Sequence, residues 1–329
     1  MKKSIYLGLV AIFVVATGYF TYNEQSQPLK EQQPLANITI TQAFENFLYA
    51  PLYVAEEQGF FAAEGIEINL TTAGGDEKAF AGLLSSDAQF AVGDPTFAAI
   101  AGQRGQSGLV IASILNGVPC WGLAKDPSIE TIENPAALAG YSVATFPAPS
   151  TAYVLQQNMF QQGGLTPDIK QTAPGALLAT LDSKQADIAL ELEPNVSTAV
   201  QNGYRIVYSL NDYHPEFAIT GLMALPSYVE ANPEITQGVV NALQNAMEHI
   251  RQNPNQVADF LATKFPSVPS AVATDAVQNM ITADVFPQDT IVSQEGWDAA
   301  IQARLDAGDL TEAAPYETYV TTIFSDQAK

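Results

Sequence analysis

From residue 38 to residue 225 the chain alternates short β-type runs with stretches of helical periodicity, and this alternation limits the available folds more than any other feature. Strands joined through helices return in the same direction, so the pattern predicts an α/β fold with largely parallel sheets. The runs are "ITIT" (38–41), "IEINL" (66–70), "AQFAV" (88–92), "LVIASIL" (109–115), "YSVAT" (141–145), "DIALEL" (187–192), "RIVYS" (205–209) and "FAITGLMAL" (217–225). "VPCWGLA" (118–124) follows the fourth run, and after Ala124 the pattern begins afresh. Pro51 suits the first turn of the first helix, where its missing N–H would be unpaired anyway, and Gly59 closes that helix. "GDP" (93–95) opens another, with Asp94 as N-cap and Pro95 in the first turn. Residues 151–162 carry Ala152, Leu155 and Met159 on one face and are stopped by Gly163 and Gly164. From Pro226 onward the chain reads helical, including 235–252 and a final group around Trp297 and 316–324.

Two chain crossings, near 124–127 and 217–221, divide this pattern into a first lobe of 37–124 with 219–329 and a second lobe of 125–218 inserted in it. Ahead of them, Lys2 and Lys3 precede an apolar stretch over 5–20, the layout of an export signal. Its 16 residues fall short of the roughly 20 that span a bilayer. Segment 1–22 therefore reads as a cleaved signal, with an uncleaved anchor as the alternative, and 23–36, polar with Pro28 and Pro34, as a flexible leader. The formal charge is −22, two charges more negative without Lys2 and Lys3, which argues against nucleic acid and anionic membrane surfaces as partners. Cys120 is the single cysteine, so neither an intrachain disulfide nor a cysteine-based metal site can form. His214 lies in a loop and His249 in a long helical pattern. No Ser-His-Asp grouping, phosphate loop or metal-ligand cluster is present in the sequence, so binding ranks above catalysis and no cofactor or metal is implied.

"APLYVAEEQGFFAAEGIEINL", "GGDEKAFAGLLSSDAQFAVGDP", "STAYVLQQNMFQQGGL", "QADIALELEPN" and "EGWDAAIQARLDAGDL" are together similar to the periplasmic substrate-binding proteins of ABC importers for nitrate, sulfonates, taurine and thiamine-pyrimidine precursors. The resemblance runs in order over 38–324. It implies a two-lobed, type II-like fold with two hinge crossings and closure on a small molecule. It also implies a monomer that delivers its ligand to a membrane permease driven by a cytoplasmic ATPase.

In open α/β sheets ligands sit beyond the carboxyl ends of strands, and four loops meet that condition: 44–49, 93–95, 146–151 and 191–195. In the first, Glu45, Asn46, Phe47 and Tyr49 are expected to grip a ligand, with Phe44 and Leu48 in the core. Asp94 is a supporting residue whose presence capping alone would explain. Ser150 and Thr151 open a helix whose N–H groups could hold a polar or anionic group, or simply be capped. Trp121, beside the first crossing, either stacks on the ligand or fills the hinge. Glu191 and Glu193 alternate to one face at a strand end, and Tyr213 is a further aromatic.

These loops hold acids and no lysine or arginine. An anion about 6 Å from one carboxylate is repelled by about 3 kcal/mol at an effective dielectric near 20. A carboxylate suits an amine or an aminopyrimidine, and aromatic faces suit a flat ring. The expectation is uptake of a small amino-substituted heteroaromatic, such as a thiamine-pyrimidine precursor. A sulfonate, taurine or nitrate is the alternative, and a pyrimidine-synthesis enzyme on the same architecture ranks below both.

Overall fold

The computed structural model describes residues 35–328, so the expected export segment and the leader up to Pro34 lie outside the described residues. Ten strands form two sheets: β1 Ala36–Gln42, β2 Ile66–Thr72, β3 Phe90–Gly93, β4 Leu109–Asn116, β5 Trp121–Ala124, β6 Val143–Thr145, β7 Ile169–Gln171, β8 Ile188–Glu191, β9 Arg205–Ser209 and β10 Ala218–Ala224. Their orders are β2-β1-β3-β10-β4 and β7-β6-β8-β5-β9, one sheet to each of two lobes. Within a lobe, strands joined through helices run parallel, as crossover geometry requires. β10 and β5 run opposite to their neighbours, and each is the strand by which the chain enters its sheet from the other lobe.

The placement of β5 moves the first crossing. Trp121–Ala124, at the end of the expected first lobe, pairs between β8 and β9 in the second sheet, so the chain crosses at 117–120. Gly122 makes this pairing feasible: a Cβ there would lie 2.1 Å from Cε1 of Tyr208, whose ring covers the strand. The edge strand β7, "IKQ", carries no apolar run and is invisible to periodicity.

Helices flank both sheets. Pro233–Gln252 buries Val239, Val240, Leu243, Met247 and Ile250 along one stripe and packs on Ala50–Glu57. Two helices near the carboxyl terminus instead reach the second lobe. Ser270–Thr282 packs on Asn195–Gln201, and Gln294–Ala307 packs on Thr151–Gln162. These two helices bring side chains to the gap between the sheets. Among the described residues no helix is long and apolar enough to cross a membrane.

Candidate functional site

The loops after β1, β3, β6 and β8 all leave the carboxyl ends of parallel strands. Asp94 follows β3 directly. Gly93 is required before it, because a Cβ at that position would stand 2.6 Å from Oδ1 of Asp76. The space lets that oxygen accept the Asp94 backbone N–H at 2.9 Å. Oδ1 of Asp94 accepts from the Thr96 N–H at 2.8 Å and from the Thr96 hydroxyl at 2.5 Å and so holds the start of the helix Thr96–Gly102, although Pro95, expected in the first turn, takes the N-cap position in place of Asp94. Oδ2 does something the sequence did not suggest. It accepts from Arg304 Nη2 at 2.6 Å and from the Thr151 hydroxyl, across the gap.

Arg304 is 1% exposed and lies on the helix Gln294–Ala307. Its five N–H groups all find protein acceptors. Nε donates to Thr96 Oγ1 at 3.1 Å. Nη1 donates to the Pro149 carbonyl at 2.7 Å and Asp309 Oδ2 at 2.8 Å. Nη2 donates to Asp94 Oδ2 and, at 3.2 Å, to Thr151 Oγ1. Burial works against the guanidinium charge, and the Asp94 and Asp309 carboxylates overcome it. One side chain thus ties the carboxyl end of β3 to the carboxyl end of β6. This corrects the expectation of a cleft without a basic residue. The loops do lack one, and the cation arrives from a helix 210 residues beyond Asp94. A signal existed: Trp297, Ala300, Ile301 and Arg304 share one helical face, so the arginine sits where an apolar stripe enters the core.

Asp76 stands beside this pair, and burial, followed by the Asp94 charge, pushes its carboxyl up to about 6. Tyr49 is buried at 3% exposure, and burial, followed by the Asp76 charge, holds its hydroxyl well above the ordinary range. On the second lobe, Ser150 caps the helix Thr151–Gln162 by accepting the Tyr153 N–H at 3.3 Å. Trp121 and Glu191 face one another in register across β5 and β8, and both are buried. Glu191 Oε2 accepts from the Leu192 N–H and from Asn195 Nδ2, each at 3.2 Å. Burial pushes its carboxyl up to about 7.

Other expected site residues are occupied elsewhere. Glu193 is fully buried and accepts from the Ser197 N–H at 3.0 Å, the Ser197 hydroxyl at 2.9 Å and Asn279 Nδ2 at 2.9 Å. It holds Ser197 of the helix Asn195–Gln201 and joins that helix to Ser270–Thr282. β8 ends at Glu191, so the alternation expected to pair the two glutamates does not extend to Glu193. Phe47 is fully buried with its ring centroid 5.2 Å from that of Phe265, whereas Phe44, expected in the core, is 41% exposed. Asn46 caps its own turn by accepting the Leu48 N–H at 2.9 Å, and Glu45 is exposed. Tyr213 donates to the Ile132 carbonyl at 3.0 Å, beyond the edge strand β9. The structure brings together Asp94, Thr151 and Arg304, with Tyr49, Asp76 and Ser150 around them, and sets Glu191 against Trp121 on the second sheet.

The NMT1/THI5 like family profile matches residues 46–257. YtlA of Bacillus subtilis (strain 168) is 22% identical over 300 residues, which cover 88% of this chain and 89% of that protein. The periplasmic aliphatic sulphonate binding protein SsuA from Escherichia coli superposes with a TM-score of 0.72 at 19% identity, over 89% of this chain and 99% of that one. The periplasmic nitrate-binding protein NrtA from Synechocystis PCC 6803 does so with a TM-score of 0.67 at 15% identity, over 89% and 88%. At these identities the solved structures carry the two-lobed fold.

Proposed function

The chain belongs to the NMT1/THI5 like family, and on that premise we propose that it is the extracytoplasmic solute-binding component of an ABC importer, taking a small amino-substituted heteroaromatic of the thiamine-pyrimidine-precursor kind between its lobes. Its partners are then a membrane permease and the ATPase that drives it, and its role is binding rather than catalysis. The sulphonate and nitrate binding of SsuA and NrtA supports uptake of a small solute.

The observation that carries the choice of ligand is the state of Arg304. With all five N–H groups on protein acceptors, the guanidinium has none to offer an incoming anion. Around it Asp76, Asp94 and Asp309 outnumber it, so an anion meets surplus negative charge at about 3 kcal/mol per uncompensated carboxylate, or about a hundredfold in affinity. Both protein hydrogen bonds to Glu191 fall on Oε2. Oε1 is left to accept a ligand N–H, and the Trp121 ring beside it suits a flat partner. A sulfonate or nitrate is the second reading, favoured by the presence of a guanidinium at the start of Thr151–Gln162.

A thermal-shift screen of the purified protein against aminopyrimidines, amines, taurine, alkanesulfonates and nitrate tests this. Ligand at a hundred times its Kd adds about 2.7 kcal/mol of stability. Stabilisation by nitrate or sulfonates alone overturns the choice of ligand, and turnover of any compound overturns the binding role.

A further inference from the structure

We infer that Asp94 is the specificity determinant that keeps anions out of this site: its carboxylate fills, from within the chain, an oxyanion position that Arg304, Thr151 and Thr96 build between the lobes. The inference rests on the solute-binding role proposed above and adds to it the residue that sets the sign of the ligand's charge.

Four donors converge on the Asp94 carboxylate. Oδ2 takes Arg304 Nη2 at 2.6 Å and the Thr151 hydroxyl, and Oδ1 takes the Thr96 N–H at 2.8 Å and the Thr96 hydroxyl at 2.5 Å. A charged donor, two hydroxyls and a backbone N–H around one flat, two-oxygen group is the arrangement that recognises a small planar oxyanion such as nitrate or formate. The donors come from three separate elements, Thr96–Gly102, Thr151–Gln162 and Gln294–Ala307, and Arg304 and Asp94 are 2% and 3% exposed in their side chains. Water therefore competes poorly for these donors, and whatever fills the position must carry the charge that Arg304 requires. In this chain Asp94 carries it.

Removing that carboxylate leaves the donors in place. Arg304 keeps Asp309 and the Pro149 carbonyl on Nη1, while Nη2 loses its anion. Asp76, whose Oδ1 holds the Asp94 backbone N–H at 2.9 Å, opposes an added anion and weakens its binding. A cavity of about 240 Å³ has Phe97, Pro149 and Asp309 in its wall, the last two being the residues that accept from Nη1. The Phe97 ring lies 5.5 Å from the guanidinium carbon. The charged lining of this cavity is Arg104 with Glu77 and Asp309, so the cavity itself adds no net attraction for an anion.

The test is Asp94→Ala, followed by thermal unfolding and calorimetric titration with sodium nitrate and sodium formate, against sodium chloride at equal ionic strength. The expected result is a variant less stable than wild type whose midpoint climbs with nitrate or formate concentration. Its oxyanion affinity is at least about tenfold above that of wild type. Adding Thr151→Val to the variant lowers the gain, because one of the four donors is lost. If Asp94→Ala does not fold, Asp94→Asn removes the charge while keeping an acceptor for Thr96, and its nitrate affinity is read in the same way. Equal nitrate affinity in wild type and in the folded variant overturns the inference, as does stabilisation that chloride matches. The two readings fail separately. A variant that gains nitrate binding while wild type ignores every aminopyrimidine keeps Asp94 in its role and removes the choice of ligand.

Discussion

Glutamine at position 191 keeps the shape of the side chain and removes its charge, which makes it a direct probe of how the second sheet holds an acid away from water. Glu191 is 1% exposed, and burial is the largest cause that moves its carboxyl from 4.5 to about 7. The unfolded chain ionises at the ordinary value, so across the window from 4.5 to about 7 the unfolded state has released a proton that the folded state still holds. The folded pKa is raised, and wild-type stability therefore falls as pH rises through this window. The slope is about 1.4 kcal/mol per pH unit, the sum is about 3 kcal/mol, and the contribution is flat above the folded value. The Glu191→Gln protein lacks this slope. Asp76, also raised, contributes equally to both proteins and cancels in their difference. Urea unfolding of the two proteins at a series of pH values should show the variant gaining on wild type by about 3 kcal/mol across the window and by nothing further above it. A difference that does not change with pH would refute the burial of an ionisable group there. The same pair reports on the ligand. A non-titrating amine donor that needs the ionised carboxylate binds wild type about tenfold more tightly near pH 8 than near pH 6, following the ionised fraction, and the variant loses that dependence.

Two further substitutions separate packing from recognition. Phe47→Ala removes a fully buried ring from its partner Phe265 and should cost about 3–5 kcal/mol in chemical denaturation. The affinity of the folded variant for its ligand should stay near that of wild type, and a large loss of affinity at modest cost in stability would return Phe47 to the site. Glu193→Ala strands the Ser197 N–H, the Ser197 hydroxyl and Asn279 Nδ2, so about 2 kcal/mol of stability should be lost. Ligand preference in the thermal-shift screen should be unchanged, and a reordered ranking of compounds would show that Glu193 touches the ligand.

Much of this architecture is legible in local spacing. The helix over 151–162 and the strand over 205–209 lie where periodicity puts them, and the four loops proposed for the site do leave parallel strand ends. Ser150 caps its helix because a hydroxyl one residue before the first turn reaches an N–H three residues on, a distance that needs no information from elsewhere in the chain. Asp94 shows the limit: the oxygen it turns to Thr96 is local, while its other oxygen answers to Arg304, 210 residues away. Phe44 and Phe47 are three residues apart in one turn, and the presence of Phe265 against that turn decides which of them is buried. Trp121–Ala124 has too few residues to announce its sheet, and the register offered by β8 and β9 selects it. Secondary structure follows from neighbours a few residues apart, so it can be read along the chain. The burial and pairing of a charge depend on which distant donors converge on it, and only the folded chain brings Arg304 to Asp94.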